Sequence, residues 1–118
     1  MARATAILAE LAGRLVAAIN EQDLTRLEAL LPAALAQDAG RRAQFLKLVK
    51  EFGPRASLDG IGDSTVAEDR AEATFTLSLS WRGDFGVARK KTGRFLGKIG
   101  REGVVWQVEG VSLIDAIP

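Results

Sequence analysis

The chain of 118 residues contains no cysteine, no histidine and no tyrosine. Without cysteine there can be no disulfide and no thiolate metal site. Without histidine the chain lacks the commonest metal ligand and the side chain best suited to proton transfer near neutral pH. Any catalysis would depend on Asp, Glu, Lys, Arg, Ser or Thr, and we expect no resident cofactor and no metal.

The chain also has little net charge and no long hydrophobic run. Sixteen Lys and Arg face fifteen Asp and Glu, which gives a net charge of +1. Because this near-balance provides no general attraction to nucleic acid or to an anionic membrane, we expect neither as a partner. No apolar run approaches the ~20 residues of a membrane span. Charges at Arg3, Glu10 and Arg14 also interrupt the N-terminal apolar segment, unlike a signal peptide. We therefore expect a cytoplasmic protein with one domain, residues 1–118.

The clearest pattern in the sequence is a strict alternation of apolar and polar residues. The apolar positions are Ala71, Ala73, Phe75, Leu77, Leu79 and Trp81. The polar positions are Glu72, Thr74, Thr76, Ser78, Ser80 and Arg82. Successive side chains of a strand point to opposite faces, whereas a helix would scatter these apolar residues around its circumference. The pattern predicts a long central strand with one buried face and one face that is wet or contacts a partner.

Three helices are predicted before this strand. They span Thr5–Asn20, Leu24–Leu31 and Asp38–Phe52. Thr5, Asp23 and Asp38 are suitable N-caps, because their side-chain oxygens can accept from unpaired first-turn N–H groups. Pro32 ends the second helix, and Gly53 followed by proline ends the third.

The remaining strands are predicted from shorter patterns. An edge strand is expected at Ala56–Ile61, followed by a turn at Asp63 and Ser64. After a tight turn at Gly83 and Asp84, the next strand spans Val87–Arg101, and the last spans Val104–Leu113. The apolar phase slips by one residue at Gly110, which indicates a β-bulge. Three glycines inside the third strand indicate bending or close approach of another group: Gly93, Gly97 and Gly100.

The order of these elements predicts an α+β fold. Three N-terminal helices would pack on a strongly curved, four-stranded antiparallel sheet. The alternation does not fix the strand registers near the three glycines.

Two segments resemble nuclear-transport-factor-2-like domains, the superfamily that includes SnoaL-like polyketide cyclases and ketosteroid isomerases. Residues 15–32, LVAAINEQDLTRLEALLP, resemble the family's opening helices, and residues 100–113, GREGVVWQVEGVSL, are similar to its final hairpin. The resemblance implies a cone-shaped sheet that wraps the first helix and leaves a pocket at its open end. Members use this pocket as an enzyme site, as a ligand site or not at all, and many dimerise through the outer face of the sheet.

Four aromatic residues and one arginine are the candidate pocket lining: Phe75, Trp81, Arg89, Phe95 and Trp106. The aromatic residues could hold an apolar or planar ligand, or they could simply fill the core. Arg89 belongs to a basic run whose alternation places Arg89 and Lys91 on one face of the strand. The run is a solvated strand, a site for an anionic ligand or partner, or a nucleic-acid contact. The near-neutral total charge and the lack of interleaved aromatic residues disfavour the third reading.

The outward row of the central strand is the candidate dimer interface: Thr74, Thr76, Ser78 and Ser80. Small hydroxyl residues pack without the desolvation cost of ions. We therefore expect a homodimer formed by the outer sheet faces.

The function that fits best is a non-catalytic domain that binds a small hydrophobic or anionic ligand or mediates assembly. The alternative is a SnoaL-like isomerase, cyclase or hydrolase with a buried carboxylate as general base. The family's enzymes pair an Asp with His or Tyr, which this chain lacks. Asp59, Asp63 and Asp84 stand in turn-like or edge contexts, so no catalytic residue is assigned. A domain that assembles a longer protein is a third possibility.

Overall fold

The computed structural model describes residues 2–115, with the side chains at positions 2 and 63 excepted, and it confirms the predicted α+β class. The helices are α1 (Ala2–Asn20), α2 (Leu24–Leu30) and α3 (Ala39–Phe52), with a 3₁₀ turn at Ala33–Leu35. The strands are β1 (Arg55–Val66), β2 (Arg70–Arg82), β3 (Ala88–Glu102) and β4 (Val105–Leu113). Within the described residues, these strands form one antiparallel sheet in the order β1-β2-β3-β4.

Two of the three predicted helix caps are present. Asp23 accepts a hydrogen bond from the Arg26 N–H, and Asp38 accepts from the N–H groups at the start of α3. The left-handed residue Gly53 (φ 53°) ends α3 as predicted. The prediction for Thr5 was wrong, because α1 begins at Ala2. The preceding alanine and arginine are strong helix formers, so nothing in the sequence requires the helix to start at the threonine.

Strand β1 is longer than predicted. It continues to Val66, and the predicted turn at Asp63 and Ser64 was wrong. The backbone N–H of Ala67 instead bonds to the carbonyl of Arg70 where the chain reverses. Register shifts against β2 fall between Leu58 and Gly60 and between Gly62 and Thr65, so bulges absorb the turn-like residues without ending the strand.

The core lies between the helices and the apolar face of the sheet, as the alternation of β2 predicted. Helix α1 contacts all four strands. The largest fully buried side chains of this core are Leu8, Leu11, Leu15, Ile19, Leu27, Leu31, Phe45, Phe75, Leu77, Leu79, Phe95 and Ile99. We call this buried side of the sheet the inner face and the opposite side the outer face.

Two backbone features shape the sheet. At Gly97 the backbone passes so close to the Phe75 ring that a Cβ would lie 2.4 Å from its Cζ atom. The predicted bulge at the end of β4 is present, because Val108 pairs with Ile99 and Gly110 (φ 141°) pairs with Lys98. The extra residue between them is accommodated by this left-handed glycine.

The side chain of Asn20, at the end of α1, closes a ring with the edge strand. Its Nδ2 donates to the carbonyl oxygen of Ala56 (3.0 Å), and its Oδ1 accepts from the Ala56 N–H (2.7 Å). The helical layer and β1 are therefore joined by hydrogen bonds as well as by apolar contact.

Candidate functional site

The four aromatic residues proposed as a pocket lining lie in three different places. Phe75 and Phe95 are fully buried in the core, where Phe95 packs edge-on against Phe45 with ring centroids 5.3 Å apart. Trp81 and Trp106 are half-buried and pack against the margin of the core. The two tryptophans lie at opposite ends of β3, because Trp81 pairs with Arg89 and Trp106 pairs with Arg101. These arginines are twelve positions apart along the strand, roughly 40 Å at full extension.

An open pocket of about 500 Å³ lies at the Trp81 end of the sheet. We call it the hairpin pocket. It is lined by Leu48, Phe52, Trp81, Gly83, Asp84, Ala88, Arg89, Lys90 and Lys91. The last turns of α3 therefore supply one apolar wall, and the β2–β3 hairpin supplies the other wall with a row of cations. The pocket includes Trp81 and Arg89 of the predicted lining but not Phe75, Phe95 or Trp106.

The register of β2 with β3 explains why this pocket is both apolar and basic. Arg89 pairs with Trp81 and Lys91 pairs with Leu79, so both cations lie on the inner face. Asp84, at the rim, is the one acidic residue among the residues that line the pocket, and it is exposed. The arrangement combines an indole and a phenyl surface with two basic groups, a chemistry that suits an amphipathic anion.

Among the side chains whose burial is described, Ser112 is the only buried polar one. Its Oγ makes no hydrogen bond to the described residues and faces a cavity of about 10 Å³, about the volume that one water requires. Asp59 lies near the outer face and accepts a hydrogen bond from Ser78, while the Asp63 side chain lies outside the described residues. No described carboxylate therefore occupies the apolar interior that a buried general base would need.

The outer face of the sheet carries the proposed dimer row. Thr74, Thr76 and Ser78 are half-buried by their neighbours, and Ser80 is exposed. Thr74 pairs with Leu96, another half-buried residue, so this pair is uncharged, whereas the neighbouring Thr76 pairs with Arg94. Three basic residues occupy other β3 positions on this face: Lys90, Arg94 and Lys98.

An ion pair lies at one side of the outer face. Arg94 donates two hydrogen bonds to the Asp115 carboxylate, at 3.0 and 2.9 Å. These bonds lower the pKa of Asp115 below its ordinary value and raise the pKa of Arg94. Both side chains are partly exposed, so the pair contributes little to stability and serves mainly to hold the chain after β4 against β3.

The tip of the β2–β3 hairpin is a feature that the sequence pattern did not reveal. Instead of a tight turn at Gly83 and Asp84, the chain forms a 3₁₀ turn over Asp84–Gly86. Phe85 lies at its apex with a left-handed backbone (φ 62°) and a fully exposed ring. A positive φ is a genuine outlier for a bulky residue, so no sequence pattern predicts this conformation for Phe85.

No helix among the described residues is long and apolar enough to cross a membrane.

Comparison with known proteins shows the fold. No family model and no curated protein matches the chain. Among solved structures, the chain is similar to Rv3472, a protein of unknown function from Mycobacterium tuberculosis (13% identity, TM-score 0.66, covering 96% of this chain and 76% of that one). It is also similar to a nuclear-transport-factor-2-like superfamily protein from Salmonella enterica (17% identity, TM-score 0.62, covering 97% and 91%). A third match is the association domain of CaMKII from C. elegans (12% identity, TM-score 0.62, covering 95% of each chain). The resemblance seen in the sequence is therefore confirmed as a nuclear-transport-factor-2-like fold.

Proposed function

We propose that this protein is a non-catalytic domain that dimerises through the outer face of its sheet and holds a small amphipathic anion in the hairpin pocket. The cone shape implied by the family resemblance, with a sheet curved around α1, belongs to the same proposal. The observation that carries it is the composition of the pocket, where Trp81 and Phe52 lie beside Arg89 and Lys91.

The pocket chemistry favours an aromatic or acyl carboxylate over a neutral apolar ligand. A planar apolar body would cover the half-buried Trp81 and the partly exposed Phe52 ring. Its carboxylate would reach the Arg89 guanidinium, which can donate two parallel hydrogen bonds to a carboxylate. The lone acid, Asp84, lies at the rim, where water screens it from the bound anion.

The interior supports a non-catalytic role over the alternative of an isomerase, cyclase or hydrolase. The alternative needs a carboxylate whose pKa is raised by apolar surroundings. The described interior is filled instead by phenylalanine and aliphatic side chains, with Ser112 as its one buried polar group.

A fluorescence titration tests the ligand proposal. Because the chain has no tyrosine and two tryptophans, a Trp106→Phe variant leaves Trp81 as the sole strong emitter. We expect 2-naphthoate to change the Trp81 emission and Arg89→Gln to weaken its binding about tenfold, the loss expected for one charge-assisted hydrogen bond.

Two controls make the titration specific. The neutral amide 2-naphthamide should bind the unmodified pocket about as weakly as the acid binds the Arg89→Gln variant. Arg101→Gln removes an arginine from the other end of β3, where its guanidinium lies 5.5 Å from the Trp106 ring centroid, and should leave binding unchanged. Equal affinity for the acid and the amide would contradict the proposal. So would a loss of naphthoate affinity in Arg101→Gln as large as the loss in Arg89→Gln.

The uncharged pair of Thr74 and Leu96 on the outer face supports the dimer. A second copy could cover Thr74 and Leu96, and the neighbouring Arg94 already has an acidic partner in Asp115. One structural neighbour is described as an association domain, which agrees with assembly through this fold.

A charge placed at the centre of the outer face tests the dimer. We expect sedimentation velocity at micromolar concentration to show a dimer, and Thr74→Lys to convert it to monomer, because a lysine there would be buried without a partner. Thr25→Lys is the matched control, since Thr25 is exposed on α2 away from the sheet. A monomeric unmodified protein, or equal behaviour of the two variants, would count against the interface.

A further inference from the structure

The tip of the β2–β3 hairpin carries Phe85, the most exposed of the large hydrophobic residues that the structure describes. The Phe85 ring is fully exposed and Val87, two residues later, is 52% exposed. An isolated exposed leucine or valine is ordinary, but a phenylalanine held wholly in water forgoes a substantial burial energy. The backbone at Phe85 is also in the left-handed region, which costs a non-glycine residue further free energy. Two unfavourable features coincide at one residue.

The loop is held in this conformation by its own hydrogen bonds. The Gly83 N–H bonds to the Val87 carbonyl (2.8 Å), and the Gly86 N–H bonds to the Gly83 carbonyl (3.1 Å). The Arg82 guanidinium donates to the Gly86 carbonyl (3.0 Å). Phe85 is therefore presented at the apex of a closed loop. Strain that the surrounding structure maintains in this way is typical of contact sites.

Cations surround the tip on both faces of the hairpin. Between Arg82 and Lys91 the chain has four basic residues and one acidic residue. Arg89 and Lys91 lie on the inner face, whereas Arg82 and Lys90 occupy the alternate positions, on the outer face. The Arg82 guanidinium, bonded to the Gly86 carbonyl, lies next to the apex residue Phe85.

We propose that the β2–β3 hairpin docks tip-first on an anionic lipid surface, with Phe85 and Val87 among the acyl chains and the surrounding cations at the phosphates. The distribution of charge favours a bilayer over a protein partner. When a tip inserts into a bilayer, phosphates lie on every side of it and can contact cations on both faces of the hairpin. A complementary protein site would contact cations mainly on one face. The net charge of +1 does not oppose this, because the cations are concentrated at one end of the sheet.

Vesicle sedimentation tests the proposal with the full chain. We expect binding to phosphatidylcholine vesicles with 30% phosphatidylglycerol, and much weaker binding to pure phosphatidylcholine. Phe85→Asn should weaken binding to the anionic vesicles about tenfold or more. Asparagine tolerates the left-handed conformation, so this variant should melt no lower than the unmodified protein, and a loss of binding could not be attributed to unfolding.

The other exposed hairpin provides the matched control. Val104 is 79% exposed at the β3–β4 turn, and Val104→Asn should leave vesicle binding unchanged. In a Phe85→Trp variant, the tryptophan emission should in addition shift to shorter wavelength when anionic vesicles are added, and brominated acyl chains should quench it. No preference of the unmodified protein for anionic vesicles, or unchanged binding by Phe85→Asn, would overturn the proposal and point to a protein partner for the tip.

Discussion

Replacement of Phe95 by alanine is expected to lower the free energy of unfolding by about 3–5 kcal/mol, the range for removal of a buried phenyl ring. Phe95 is fully buried, and its ring packs edge-on against Phe45 at an interplanar angle of 65°. It also faces Phe75 across the β2–β3 register and Leu113 across the β3–β4 register. Because all these neighbours belong to the core, the resulting cavity would not be open to solvent or ligand.

This prediction separates core residues from pocket residues among the aromatic side chains of the inner face. Urea unfolding monitored by circular dichroism measures the loss through the linear dependence of free energy on denaturant. Trp81→Ala is the comparison. Because Trp81 is only half-buried, its replacement should lower the free energy of unfolding by about half as much. Naphthoate binding should fall for Trp81→Ala but not for Phe95→Ala below its unfolding transition. A loss under 1 kcal/mol for Phe95→Ala would show that Phe95 lines a cavity.

A single added carbon at Gly97 is expected to destabilise the protein by about 3 kcal/mol, at the upper end of the cost of overpacking. A Cβ at this position would lie 2.4 Å and 2.5 Å from two atoms of the Phe75 ring and 3.3 Å from Leu11. Real Cβ atoms do not approach other atoms so closely, and a fully buried ring has no free space into which to move. Either the ring or strand β3 must shift.

The cause of this loss can be tested by a double-mutant cycle. Phe75→Leu removes the ring atoms that the new Cβ would meet, so the Gly97→Ala change should cost 1–3 kcal/mol less in that background. Gly100→Ala is the control on the same strand, since its Cβ would make ordinary contact with the flexible Glu109 side chain at 3.5–3.7 Å. We expect it to be neutral or slightly stabilising. Additive effects of the two core substitutions would contradict steric conflict as the cause.

The sequence predicted the fold well where a local pattern corresponds to one physical constraint. The twelve-residue alternation identified both faces of β2, and the slip at Gly110 located the bulge in β4. The aspartate caps of α2 and α3 were predicted because their hydrogen bonds are local.

The errors arose where local signals were outweighed by contacts distant in sequence. Gly62 and the two residues after it favour a turn in isolation, but pairing with β2 extends β1 to Val66. Thr5 is a good cap only if a helix begins there, and nothing stops α1 from beginning earlier.

The site was harder to predict than the fold, because alternation gives the face of a strand and not the position along it. Phe75, Phe95 and both tryptophans share the inner face, yet only Trp81 lies beside the pocket between the last turns of α3 and the β2–β3 hairpin. The exposed phenylalanine at the hairpin tip had no sequence signal, because its backbone conformation is one that glycine or asparagine usually adopts.

The amide of Asn20 has a consequence for the association of this protein with copies of itself. Strand β1 is an outermost strand, and the outward N–H and C=O of Ala56 are the groups to which an incoming strand would bond. Since both are already bonded to one side chain, strand addition cannot begin at this residue. A helix terminus thus protects the start of this sheet edge against fibril-like growth.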